Sequence, residues 1–262
     1  MTTTFSSDTT GGVISAFEHQ YRHLAGREPV FARLLDEYGR PDPFEWHDGG
    51  RTGASHFAAM ALHIIGQRIS ATVAFVVFDR IAAATGGIPT PDGVIRLGAE
   101  RLRERGLSRA KAAYVLDLAQ RQASGLIDIE NMAPLDDGEV IAALTAVRGI
   151  GLWSAQMFLI HQLHRPDVLP AGDSGIRRAV REAWRLRELP AVGKVRDMAA
   201  GWAPYRSYAA ALLWRSLRPA GEPSDPKARA LSRETMTDSR SSSAATWSPR
   251  PARDRRAEPP SG

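Results

Sequence analysis

Asp173 stands in LPAGDSGIRRAV, just ahead of a run with helical spacing and among Gly172, Ser174 and Gly175. A carboxylate there has two compatible uses. It caps the helix by accepting from its first backbone N–H groups. Where it faces a cleft, it also stabilises a positive charge. Upstream, AVRGIGLWSAQMF places Gly149 and Gly151 on either side of Ile150. Glycine just past a helix takes a left-handed φ without a Cβ penalty. A second helix opening at Gly151 leaves unsatisfied N–H groups and the positive dipole end facing outward, which is a seat for a phosphate. The same glycine pair also makes a plain turn between helices, so the spacing by itself admits both. Trp153, after the hairpin, and Trp214, in AALLWRSL, are either core aromatics or faces for a cation. As cation faces they contribute about 0.5–2 kcal/mol per ring.

Helices must hold these groups. SAFEHQYRHLAG and PVFARLLDEYG carry apolar residues at three and four spacing and end at glycine. SHFAAMALHIIGQRISATVAFVVFDRIAAATGG is long and strongly apolar, and predicts one central buried helix. GAERLRERG and SRAKAAYVLDLAQRQASG follow, the second capped by Ser108. DDGEVIAALTAV is amphipathic, with a cap at Asp136 or Asp137, and SGIRRAVREAWRL and YRSYAAALLWRSL close the pattern. The β-branched runs VIRL and VVF are short and lie within helical contexts. The expected architecture is all-α, about ten helices, with no sheet of consequence. Residues 1–12 and 219–262 read as disordered. Residues 221–262 are rich in Ser, Pro, Arg and Glu and poor in large apolar side chains. The working domain is then 13–218.

Composition narrows the chemistry. The chain has 262 residues, 43% of them hydrophobic, and no cysteine. Disulfides, Cys-ligated zinc, iron–sulfur clusters and thiol nucleophiles are excluded. The seven histidines show no metal-ligand spacing, and His19, His23, His56 and His63 read as surface or core residues. No apolar run approaches the roughly 20 residues of a membrane span, and the polar start MTTTFSSDTTGG has no signal-peptide h-region. The expectation is a cytoplasmic, monomeric protein without a cofactor. A net charge of +5 and a pI near 9.9 favour a polyanionic partner. Lys111 and Arg206 are candidate phosphate contacts against the alternative of solvated helix faces; Tyr205-Arg206 has the further alternative of buttressing a junction.

Taken together, L-x-x-x-x-G-I-G-x-W-[ST]-A, ending at Ala155, and D-V-x-P-x-x-D-x-G, ending at Gly175, resemble the helix–hairpin–helix (HhH-GPD) DNA glycosylase superfamily. Within it they are most similar to DNA-3-methyladenine glycosylase II. IIGQRIS (64–70), GLSRAKAAYV (106–115) and WAPYRSYAAALLWR (202–215) match in the family's order, so the resemblance spans roughly residues 13–218. It implies two helical subdomains with a cleft between them and damaged double-stranded DNA as partner. It implies Asp173 as the catalytic aspartate, and a hairpin of Arg148, Gly149, Ile150 and Gly151 that anchors the DNA backbone. Carbonyls of Thr145, Val147 and Gly149 would hold a monovalent cation between hairpin and phosphate. Trp153, Met157 and Trp214 would line the base pocket, and Gln67-Arg68 would enter the duplex as a base leaves it. Two positions depart from the pattern: Met157, where some members carry an aromatic ring, and Arg68, where many carry Gln or Leu.

The implied reaction is hydrolysis of the N-glycosidic bond of alkylated purines, of the 3-methyladenine and 7-methylguanine type, in base excision repair. Bifunctional members use a lysine two residues after the second hairpin glycine. That position here is Trp153, so the Schiff-base route is closed and no strand cleavage is expected. The alternatives are a glycosylase for another lesion (ethenoadenine, hypoxanthine) and a noncatalytic DNA-binding module. A phosphate grip alone does not ask for a carboxylate near the DNA, which favours the enzyme. With little chain ahead of the helices, the expectation is a version without the extra N-terminal β-domain of some relatives.

Overall fold

The computed structural model describes residues 17–219 and Leu231. Every regular element among them is helical. The α-helices are α1 (Glu18–Arg27), α2 (Pro29–Tyr38), α3 (His56–Gly66), α4 (Ala71–Thr85), α5 (Pro91–Glu104), α6 (Arg109–Ala123), α7 (Asp137–Thr145), α8 (Leu152–His161), α9 (Ser174–Ala183), α10 (Val192–Met198) and α11 (Arg206–Ser216). None of them is long and apolar enough to cross a membrane.

Local chemistry sets most of the starts. Ser55, Ser70, Thr90 and Ser108 accept from backbone N–H groups at the entrances of α3, α4, α5 and α6. Asp136 makes a reciprocal capping box with Glu139 at α7. Two expectations are corrected. The long apolar stretch breaks into α3 and α4, because Arg68 takes a left-handed φ of 59° and Ser70 restarts the helix. The helix expected from Gly98 begins at Pro91, and Gly98 (φ 73°) is a kink inside it. VGKVRDM forms α10, whose seven residues are too short for a periodic signal. Leu231, in the segment expected to be disordered, packs beside the core and would meet a Cβ at Gly49 at 2.7 Å. The expectation for residues 1–12 and, apart from Pro219 and Leu231, that for 219–262 lie outside the described residues.

Two apolar cores result. Helices α3 to α8 enclose one, built around Phe57, Phe75, Phe78 and Leu118. The first and last parts of the chain, α1, α2 and α9 to α11, enclose the other, around Tyr21, Phe31, Trp202 and Leu212. Full burial of each such side chain stabilises by about 1.5–3 kcal/mol. Trp214 and Phe44 pack against both cores. A cleft lies where the cores meet, and the loop from α8 to α9 carries the chain from one to the other.

Candidate active site

The hairpin is clamped from beneath. Ile150 is 4% exposed in the first core, and Val147 on the other side of the turn is 1% exposed. The Arg148 backbone N–H donates to Asp117 Oδ2 at 2.8 Å, and Asp117 also takes Arg121 Nε at 3.1 Å. The two glycines differ in cause. Gly149 has φ 82°, and a Cβ there would sit 2.1 Å from the ring of Tyr114. The fold itself demands that glycine. Gly151 has an extended φ of −98°, and a Cβ there would meet nothing within 4 Å. It is exposed, and it is the N-cap of α8 with no side chain accepting from the helix. No side chain at Gly151 covers the opening N–H groups of α8.

The other entrance is loaded. Asp173 caps α9, its Oδ1 accepting from Ile176 N at 2.8 Å. The same oxygen accepts the Trp214 indole N–H at 3.0 Å, and Oδ2 accepts that of Trp153 at 3.0 Å. One indole comes from α8, on the side of the first core, and the other from α11, on the side of the second, so the carboxylate joins the two sides of the cleft. A carboxylate has about four lone-pair positions; three are used and one on Oδ2 stays open. Gly175 leaves room for the carboxylate, since a Cβ there would lie 2.9 Å from Asp173 Oδ1.

Around this carboxylate the cleft encloses about 720 Å3 and is lined by Gln67, Arg68, Trp153, Met157 and Trp214 among others. That lies within the range of small-molecule pockets. Met157 is 7% exposed and gives the pocket an apolar floor; Trp153 is 44% exposed. The fold thus brings Asp173, Trp153, Met157, Trp214, Gln67 and Arg68 to one cleft, with the hairpin beside it. Gln67 is tied down, its side-chain amide donating to the Gly149 carbonyl at 3.0 Å. Arg68 is the exposed member of that pair. A left-handed φ on a non-glycine residue costs about 1–2 kcal/mol and turns up where a surrounding site enforces it.

Two candidate phosphate contacts go elsewhere. Lys111 Nζ donates to the Ile65 carbonyl at 2.8 Å, closing the end of α3, and burial lowers its pKa. Arg206 forms a forked pair with Asp167, Nε to Oδ1 at 2.7 Å and Nη2 to Oδ2 at 2.6 Å. That hydrogen bonding raises its pKa, with burial opposing. Arg206 buttresses the α8–α9 loop, helped by Ser207, whose Oγ donates to the Arg165 carbonyl at 2.6 Å and accepts from Val168 N at 3.0 Å. Of the carbonyls implied for a cation, that of Gly149 accepts from Gln67 and that of Val147 from Ile150 N at 3.2 Å. Each keeps a second lone pair, so both remain able to ligate. Sequence reasoning missed Tyr114, Asp117 and Ser207 as supports. Tyr114 and Ser207 sit inside matched stretches, while Asp117 carries no signal.

Residues 62–204 match the model of the HhH-GPD superfamily of base excision DNA repair proteins. The chain belongs to this superfamily. DNA-3-methyladenine glycosylase 1 of Schizosaccharomyces pombe is 30% identical over 197 residues, covering 74% of this chain and 85% of its own. YfjP of Bacillus subtilis is 31% identical over 170 residues, 62% of this chain and 59% of its own length. The solved structure of the S. pombe 3-methyladenine DNA glycosylase Mag1 in complex with abasic DNA superposes with a TM-score of 0.63 at 28% identity. That superposition takes in 78% of this chain and 99% of Mag1.

Proposed function

We propose that this HhH-GPD protein is a monofunctional DNA glycosylase that removes alkylated purines, such as 3-methyladenine and 7-methylguanine, from double-stranded DNA. The observation that carries the reading is Asp173: a carboxylate held by three donors, with one lone pair open to a cleft walled by two indoles. The names of the relatives and the abasic DNA bound to Mag1 support it.

The target base leaves the stack at a cost of a few kcal/mol. Phosphate binding at the α8 entrance and a side chain filling the gap offset that cost, with Arg68 as the exposed candidate. A cation on the carbonyls of Thr145, Val147 and Gly149 would link hairpin to phosphate. The flipped base lies between Trp153 and Trp214 over Met157, where a cationic purine gains from the ring faces. The C1′–N bond breaks, its electron pair leaves with the base, and the sugar takes on oxocarbenium character. Asp173 stabilises that charge electrostatically. Water adds its oxygen to C1′, and its proton passes to Asp173 or to solvent. An abasic site remains and the strand stays intact, because no amine stands at position 153. The protein acts as a monomer.

The deciding experiment is base release from a duplex carrying one alkylated purine, with strand scission followed before and after alkali. Release with an alkali-labile site, lost in Asp173→Asn while DNA binding persists, supports the reading. Lesion-independent binding without release from any alkylated purine overturns it in favour of a binding module.

A further inference from the structure

His63, on α3, takes no part in the steps above. Its ring faces the Trp153 indole with centroids 5.3 Å apart and planes inclined by 36°. Its Nε2 lies 3.0 Å from the hydroxyl of Ser154, which is 5% exposed. One side chain of α3 therefore grips two consecutive residues in the first turn of α8. Trp153 in turn donates to Asp173 Oδ2.

Trp153 needs such a hold. With Asp173 and Ser174 it lines both the main cleft and a second hollow of about 440 Å3, which Leu152, Gly172 and Arg196 also border. Its exposure of 44% means that water competes for the indole N–H. A neutral hydrogen bond of that kind contributes only about 0.5–1.5 kcal/mol. An inclined ring pair adds a comparable amount, and it acts whichever imidazole nitrogen carries the proton.

We propose that His63 is a positioning residue for glycosidic cleavage. It holds the Trp153 indole where it lines the two hollows, N–H on Asp173, so that an incoming base meets a preset wall and the carboxylate keeps its open lone pair toward the sugar. The proposal rests on the reading of Asp173 as the anion that serves the reaction. His63 itself touches none of the reacting atoms.

Three variants separate the contributions: His63→Ala removes the ring, His63→Phe keeps a ring without the Ser154 bond, and Ser154→Ala removes that bond alone. Single-turnover release of 7-methylguanine, affinity for abasic-site duplex and solvent exchange of the Trp153 indole N–H are measured for each, the last assigned with Trp153→Phe. His63→Ala is expected to slow release by about tenfold to hundredfold while affinity changes by less than about threefold. It is expected to speed indole exchange, and His63→Phe to restore both readouts. Should His63→Ala fail to fold, His63→Leu, which fills the volume without an aromatic ring, takes its place. Unchanged release and exchange without the ring overturn the proposal, as does a folded His63→Phe that falls as far as His63→Ala. If the wild type releases no alkylated purine, the glycosylase reading fails on that result, and the indole exchange alone decides whether His63 positions Trp153.

Discussion

The entrances of α8 and α9 border the same cleft and are built in opposite ways. At α8 the capping position is Gly151, with no side chain and no steric demand from the fold. At α9 it is Asp173, with three donors converging on one carboxylate. The first presents bare N–H groups and the positive end of a dipole, the second a fixed negative charge. A DNA strand undergoing base loss needs both, since its phosphates are anionic while its sugar becomes cationic. In the proposed reaction two helix starts with extended capping residues would serve opposite charges, and the difference lies in a side chain present at 173 and missing at 151.

The comparison is broken most severely at Asp173. Asp173→Asn removes the charge and keeps a capping oxygen, but sets an amide NH2 against one indole N–H; base release should fall about 100- to 1000-fold, with affinity for abasic-site DNA nearly unchanged and stability lower by about 1 kcal/mol. Calorimetry together with single-turnover kinetics checks this. Gly149→Ala tests the fold rather than the chemistry. It forces a left-handed φ on a residue with a Cβ and drives that carbon into Tyr114. The expected loss, read from urea unfolding, is about 2–5 kcal/mol.

Gly151→Asp makes the two entrances alike. A new carboxylate would cap α8 and raise stability by roughly 0.5 kcal/mol, while its charge turns phosphate away and lowers DNA affinity by about tenfold or more. Opposite signs in melting temperature and affinity are the signature; parallel changes would sink the idea of a phosphate seat. Smaller still, Arg148→Ala should reduce the slope of log affinity against log salt by about one. Arg206→Ala should leave that slope alone and cost about 1 kcal/mol of stability through the partly exposed Asp167 pair.

Much of this was legible in one dimension. Glycine at 149 and 151, the caps Ser108 and Asp136, and an acid at 173 ahead of a helix all act through neighbours a few residues away, so spacing exposes them. Lys111 and Arg206 show where that reasoning stops. As isolated cations on helices they suit phosphate, and only the approach of the Ile65 carbonyl and of Asp167 reveals their inward roles. The break between α3 and α4 was hidden for a related reason. An unbroken apolar run masks a turn that exists because Arg68 is held in a left-handed conformation.

By itself, then, the order of residues determined an all-helical chain, a glycine hairpin with an uncapped helix after it, and a carboxylate at the next helix entrance. These follow from backbone hydrogen bonding and apolar periodicity, which are short-range. Tertiary structure alone decided that Trp153 of α8 and Trp214 of α11 would meet on Asp173, that Tyr114 would forbid any side chain at 149 while nothing crowds 151, and that His63 would lie against Trp153. Those contacts join residues far apart along the chain, and only tertiary packing, within the first core and between the two, brings them within hydrogen-bonding or van der Waals reach.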